Sequence, residues 1–229
     1  MNKTALITGG NRGIGFETAR QLGKLGYTVF LGARSSNKGQ MAVTKLRNEN
    51  VDARFINIDC SSPESFTGAA KEFSAFSTDL NVLINNAAIL LDKADIKDVT
   101  PSMMRETFEI NVTGPLLIIN AFLPFMKKGA RIINVSSGAG SLNDMGNYAP
   151  AYSISKAALN AVTRQFSAVL KHQGIAVNSV CPGWVRTDMG GLSAPRDVKA
   201  GAEGIVWLAD KADPQITGKF FRDGKEIRW

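Results

Sequence analysis

One histidine, His172, is present in 229 residues. That scarcity excludes a histidine-rich metal site, and a serine–histidine–acid triad would have to use His172. Cysteine is almost as rare. Cys60 and Cys181 form no CxxC pair and show no metal-ligand spacing, so neither a disulfide framework nor a bound metal is expected. Two isolated thiols fit a reducing compartment, and the expected localisation is cytoplasmic. No apolar run approaches the roughly 20 residues that span a bilayer. The apolar start, Ala5-Leu6-Ile7, gives way to Thr8-Gly9-Gly10 and is too short for a signal-peptide core, so no membrane partner is expected. The 27 Lys and Arg against 20 Asp and Glu leave a net charge of +7, but the basic residues are scattered. Scattered charge suits solubility or an anionic small molecule, and no nucleic-acid partner is expected.

Apolar runs alternate with helical patterns along the whole chain. Thr4 to Thr8, Tyr27 to Ala33, Val51 to Ile58, Val82 to Ile84, Arg131 to Val135, Ala176 to Val180 and Lys219 to Phe221 read as seven strands. Gly13 to Leu25 has helical period, with Ile14, Ala19, Leu22 and Leu25 on one face and Gly26 as its stop. Ser36 to Asn48 reads as a polar helix, and Ser61-Ser62-Pro63-Glu64 and Thr100-Pro101 read as helix starts. Strands without polar alternation are covered on both faces. The expected architecture is a single doubly wound, Rossmann-type α/β domain over residues 1–229, with a seven-stranded parallel sheet and helices on both faces. No linker, repeat or low-complexity segment divides it. Ligands in such sheets sit beyond the carboxyl ends of the strands.

The first strand runs into Thr8-Gly9-Gly10-Asn11-Arg12-Gly13-Ile14-Gly15 and then a helix. Glycines let the backbone approach a diphosphate closely, and the helix start adds free N–H groups and partial positive charge. The spacing is GxxxGxG, not GxGxxG, and no Lys-Ser/Thr follows as in a P-loop. A glycine-rich turn without a ligand is the competing reading. The second strand ends at Ala33-Arg34 with no acidic residue for a ribose 2′-hydroxyl, whereas arginine accommodates a 2′-phosphate. Arg34 and Arg12 therefore point to NADP(H), unless both are ordinary solvated arginines.

Tyr152 and Lys156 stand one helical turn apart. A nearby cation favours phenolate, so Lys156 is expected to bring the phenol towards neutral pH for general acid–base work. Such a pair is common on exposed helices and is weak evidence alone. The fifth strand ends in Ser136-Ser137, where a hydroxyl can hold a substrate carbonyl oxygen or merely cap a turn.

Taken in order, the glycine loop, Asn85-Asn86-Ala87-Ala88, Asn111, Ser137, Tyr152 to Lys156 and Pro182-Gly183-Trp184-Val185-Arg186-Thr187-Asp188 resemble the classical short-chain dehydrogenase/reductase family, most closely its carbonyl-reductase-like members. The resemblance covers essentially the whole chain. It implies an NADP(H)-dependent oxidoreductase that moves a hydride between the nicotinamide and a carbonyl or secondary alcohol. It implies Tyr152 as general acid, Lys156 as its modulator and ribose ligand, Ser137 at the carbonyl oxygen, and Asn111 holding a water that links Lys156 to solvent. For the cofactor it implies Gly9, Gly13, Ile14 and Gly15 at the diphosphate, and Asn11, Arg12 and Arg34 at the 2′-phosphate. Asp59 would contact the adenine, Asn86 and Ala87 would pass close to the adenosine ribose, and Val185 and Thr187 would secure the nicotinamide carboxamide, with Cys60, Ala88, Pro182 and Gly183 as further cofactor-binding residues.

Two departures stand out. Ala88 replaces a glycine usual in the family, and the Ser137-to-Tyr152 stretch is about two residues longer than its common form. A short substrate-binding segment is expected at about 186–200, with a helix from about Arg196. Leu142, Met145, Trp184 and Met189 are candidates for an apolar wall or for ordinary packing. The helix from Tyr152 to Lys171 is expected to turn Ala158, Val162, Gln165 or Phe166, and Val169 to the core, with His172 as a C-terminal cap. Asp92 to Asp98 reads as solvated surface. Homodimer and monomer both stay open. The alternative to an enzyme is a non-catalytic NADP(H)-binding sensor or scaffold.

Overall fold

The strands are β1 (Thr4–Thr8), β2 (Thr28–Ala33), β3 (Ala53–Asn57), β4 (Val82–Asn85), β5 (Arg131–Val135), β6 (Ala176–Val180), β7 (Phe220–Arg222) and β8 (Lys225–Glu226). They form one sheet in the order β3-β2-β1-β4-β5-β6-β7-β8 in a computed structural model that describes residues 3–91 and 95–229. Pairing is parallel from β3 to β7, and β8 runs back antiparallel. The expected seven-stranded parallel sheet therefore gains an eighth, antiparallel strand. Its origin is local: Asp223 and Gly224 both have positive φ (52° and 73°), as a two-residue hairpin turn requires. Tyr27, Val51, Asp52, Ile58 and Lys219 fall just outside the strands expected to hold them.

Residues of β1, β2 and β6 are almost wholly buried, because helices cover both faces. On one face lie α1 (Gly13–Lys24), α2 (Ser36–Asn48) and α7 (Val198–Val206). On the other lie α3 (Pro63–Ser74), α5 (Gly114–Phe122) and α6 (Pro150–Leu170), with α4 (Pro101–Phe108) leading into α5 through a π turn at Glu109–Thr113. The continuous helical run Pro101–Phe125 is long and apolar enough by composition to cross a membrane, yet Ile118, Ile119 and Phe122 are fully buried in the core. The segment Asp95–Asp98 is exposed, and Asp92, Lys93 and Ala94 lie outside the described residues.

Two amphipathic expectations need correction. On α1, Ala19 and Leu22 are buried, but Leu25 is 48% exposed because the helix ends at Lys24. On α6, Val162 is buried and Phe166, the alternative to Gln165, packs against the core, but Gln165 and Val169 face solvent, and the buried stripe is Ser155, Leu159, Val162, Thr163, Ser167 and Leu170. Thr163 turns inward because hydrogen bonds meet it there, which a count of apolar residues misses. α7 starts at Val198, capped by the Asp197 carboxylate accepting from the Ala200 amide. His172 is exposed in a 3₁₀ turn after α6.

Under β1 to β4 the core is aromatic. Phe73 of α3, fully buried, meets the rings of Phe30, Phe125 and Phe122 edge-on at 4.9, 5.2 and 5.8 Å. Phe73→Ala should lower unfolding free energy by about 3–5 kcal/mol in guanidinium titration; a loss below about 1 kcal/mol would mean that this cluster does not support the sheet.

Candidate active site

A cleft of about 1410 Å³ opens along the carboxyl ends of β1, β4, β5 and β6. Drug-sized ligands need about 300–1,000 Å³, so it has room for a dinucleotide with a small substrate. Gly9, Asn11, Arg12, Gly13 and Ile14 line one part, with Arg34, Asp59 and Cys60 beyond them. Asn86, Ala87 and Ala88 lie in the middle. Ser137, Tyr152, Lys156, Pro182, Gly183, Val185 and Thr187 line the other part. Gly15 and Asn111, both expected as ligating or catalytic residues, do not line it.

The glycine loop is shaped for close approach. Gly9 and Gly13 have φ of +64° and +55°, which strains any other side chain. Gly15 packs beneath the loop: a Cβ there would stand 2.5 Å from Asn86 Nδ2 and 2.6 Å from the Gly9 carbonyl oxygen. Asn86 binds the loop itself, since Nδ2 donates to the Thr8 carbonyl (2.9 Å) and its amide donates to Thr8 Oγ1 (3.0 Å). The start of α1 carries no side-chain cap and no acidic residue in its first turn. Its free amides are thus left for an anion at the cleft, which fits the diphosphate of a dinucleotide.

Beside the loop the charges are arranged in pairs. Arg34 is exposed at the end of β2 near Asp59. Hydrogen bonds from the Ser61 hydroxyl and amide hold the Asp59 carboxyl below its usual range, and Arg34 adds to this. Arg12 reaches across the cleft to Asp188. Both are about three-quarters exposed, so the pair is weak and a phosphate can compete for Arg12. Cys60 is buried, its thiol pushed up to about 12.

At the other end, α6 begins with strain. Ala149 adopts a left-handed conformation (φ 40°) directly before Pro150. This turn sets Tyr152 and Lys156 into the cleft floor. Lys156 is buried, donates from Nζ to the Val135 carbonyl at 2.8 Å, and lies 5.6 Å from the centre of the Tyr152 ring. Burial pulls its amine down to about 8. Burial also pushes the Tyr152 phenol up to about 12, against a lowering hydrogen bond with Ser137. This reverses the expected direction: in the structure desolvation outweighs any help from Lys156.

The neighbouring serines divide their tasks. Ser136 directs its hydroxyl to the Lys156 carbonyl (3.3 Å), whereas Ser137 is hydrogen-bonded with Tyr152. Asn111 is buried in the π turn. Its amide group grips the Ile89 carbonyl and amide (2.9 Å each) and donates to Ser155 Oγ (3.0 Å). It therefore positions the β4 loop against α6 without lining the cleft. Val185 is buried, and Thr187 faces the glycine loop, where a Cβ on Gly13 would come within 3.3 Å of it. Trp184 and Met189 line the cleft, and Leu142 and Met145 do not.

Sequence reading missed a polar chain under the site. Asn85 donates to Asn134 (2.9 Å), Asn134 to Thr163 (2.8 Å), and Thr163 pairs with Ser179 (2.8 Å). Polar residues inside apolar strands are the signal, and the β4–β5 register sets Asn85 beside Asn134.

The model of the short chain dehydrogenase family matches residues 3–197. The chain belongs to the short-chain dehydrogenase family. Among curated relatives, "Carbonyl reductase [NADPH] 1" of Oryctolagus cuniculus is 30% identical over 99% of this chain and 98% of its own. "Short-chain dehydrogenase anuI" of Penicillium roqueforti is 34% identical over 95% and 93%. An NADPH-bound carbonyl reductase from chicken fatty liver superposes with a TM-score of 0.90 at 31% identity, covering 100% of this chain and 99% of that one.

A short-chain dehydrogenase with a buried lysine carries a pH signature in its stability. The Lys156 amine sits near 8 in the folded chain against its ordinary 10.5. Between those values the unfolded chain binds more protons, so stability rises with pH through the window and the penalty is full below it. Lys156→Met should therefore gain most over the parent at or below pH 7. That difference should shrink by about 3 kcal/mol as pH rises from 8 towards 10.5 in urea titrations of cofactor-free protein; a pH-independent difference would contradict the buried-ammonium account.

Proposed function

We propose that this short-chain dehydrogenase is an NADP(H)-dependent oxidoreductase acting on a carbonyl compound or the matching secondary alcohol. The observation that carries this reading is the shared cleft: Tyr152, Ser137 and Lys156 meet at one end, and the uncapped start of α1 with Arg34 stands at the other. The NADPH named for the relatives fits that arrangement. Gly9, Gly13, Ile14 and the α1 amides would hold the diphosphate. Arg34 with Asn11 and Arg12 would take the 2′-phosphate. Asp59 and Cys60 would flank the adenine, and Asn86, Ala87 and Ala88 the adjoining ribose. Pro182, Gly183, Val185 and Thr187 would face the carboxamide. Residues 186–200 form the short substrate-binding segment, and Trp184 and Met189 supply apolar wall.

When bound, the cofactor supplies a hydride to the carbonyl carbon. Ser137 donates a hydrogen bond to the carbonyl oxygen, so negative charge can develop there. Tyr152 then gives that oxygen its proton. A phenol held near 12 keeps the proton at neutral pH, as an acid in reduction must. Lys156 sits close enough to stabilise the phenolate left behind. Asn111 acts through Ile89 and Ser155 as a positioning residue.

Tyr152→Phe should bind NADPH within about threefold of the parent by fluorescence titration, yet lose about 10²–10⁴ in the rate of NADPH oxidation with carbonyl substrates. Undiminished turnover would remove Tyr152 from the chemistry. Arg34→Asp should weaken NADPH by about tenfold or more relative to NADH; equal losses for both would overturn the 2′-phosphate assignment.

A further inference from the structure

We infer that Arg222 makes this site selective for carbonyl compounds that also carry a carboxylate, an inference that rests on the oxidoreductase reading above. Arg222 ends β7, and the Asp223-Gly224 turn of the unexpected β7–β8 hairpin fixes its place. Its guanidinium lies along the cleft beside Ser137: a Cβ added at Gly138, the next residue, would collide with Arg222 Nη2. One edge of the guanidinium is anchored, with Nε and Nη2 donating to Cys181 Sγ at 3.3 and 3.2 Å. The same sulfur accepts from the Gly138 amide at 3.1 Å, which ties Arg222 to the turn that follows Ser137.

Arg222 is exposed, and its charge is only partly matched, by attraction to the adjacent Asp223 without an ion pair. Its neighbour Asp223 is taken by Arg196, in two hydrogen bonds of 2.9 and 2.6 Å. Among the described residues Arg222 forms no ion pair, and its Nη1 makes no hydrogen bond. Of the other cations that line the cleft, Arg12 pairs with Asp188, Arg196 with Asp223, Arg34 stands beside Asp59, Lys156 donates to the Val135 carbonyl, and Arg186 donates to the Ala194 carbonyl. A planar guanidinium held by one edge presents its other N–H groups to an anion, and a carboxylate matches that fork. With Ser137 and Tyr152 at the carbonyl oxygen, the preferred substrate is an oxo acid. Its carboxylate lies a few bonds from the reacting carbon, and its apolar body lies against Trp184 and Met189.

Matched acids and esters test this: benzoylformate against its methyl ester, and 4-formylbenzoate against its methyl ester, each with NADPH. The parent should favour the acid in kcat/KM by about tenfold or more, Arg222→Gln should lower that ratio at least about tenfold, and Arg222→Lys should retain an intermediate preference. Gly138→Ala, which displaces the guanidinium without removing it, should lower the ratio as well. A parent ratio of one or less, or a ratio unchanged in Arg222→Gln, would overturn the inference. Benzoate binding provides a separate arm: it should raise the melting temperature of the NADPH-saturated parent and leave that of Arg222→Gln unmoved. If neither these substrates nor a neutral quinone is reduced, the oxidoreductase reading fails, and the benzoate arm alone decides Arg222. Loss of the shift in Arg222→Gln then sustains the anion site, and equal shifts refute it.

Discussion

An ammonium enclosed by protein is the constraint around which this site is built. Lys156 sits where β5 ends and α6 begins, with the Val135 carbonyl as its direct partner. Keeping a charge there is costly, and the pull of its amine down to about 8 expresses that cost. The surrounding structure exists to hold it. Ser136 fastens the α6 backbone to β5, and the Asn85–Asn134–Thr163–Ser179 chain ties β4, β5, α6 and β6 together below. The left-handed Ala149 aims the first turn of α6, so that phenol and amine share one wall of the cleft.

The opposing behaviour of the two groups is chemically coherent. Burial penalises phenolate and ammonium alike, so it raises Tyr152 and lowers Lys156. A protonated phenol is what reduction consumes. Once the proton has left, a neighbouring cation lowers the energy of the anion that remains. The Ser137 hydrogen bond acts in the same direction. On the mechanism proposed above, the site would pair a reluctant acid with groups whose help grows as the reaction proceeds, the differential stabilisation that catalysis requires.

Much of this was legible in the residues. The glycine loop, the Tyr152–Lys156 spacing and the strand-end positions are local features, and the cleft gathers most of them. Gly15 and Asn111 lie behind the cleft wall, where local sequence gives no view of their partners. A motif marks a residue as needed but not its contacts: Gly15 packs beneath Asn86, and Asn111 bonds to Ile89 and Ser155. What was not legible depends on partners distant in sequence. The inward turn of Thr163 needs Asn134 and Ser179, and the place of Arg222 needs Cys181 and the absence of a side chain at Gly138. The eighth strand had a local signal in Asp223-Gly224, yet two residues are too few for periodicity to detect.

In the proposed reaction the Tyr152 phenol and the Ser137 hydroxyl converge on one substrate oxygen. A crystal structure of the chain with NADP⁺ and an unreactive ketone or alcohol analogue tests it most directly. The ligand oxygen is expected within about 3.2 Å of both Tyr152 Oη and Ser137 Oγ. A ligand oxygen bound by neither, with the Tyr152 hydroxyl directed elsewhere in the ternary complex, would contradict it.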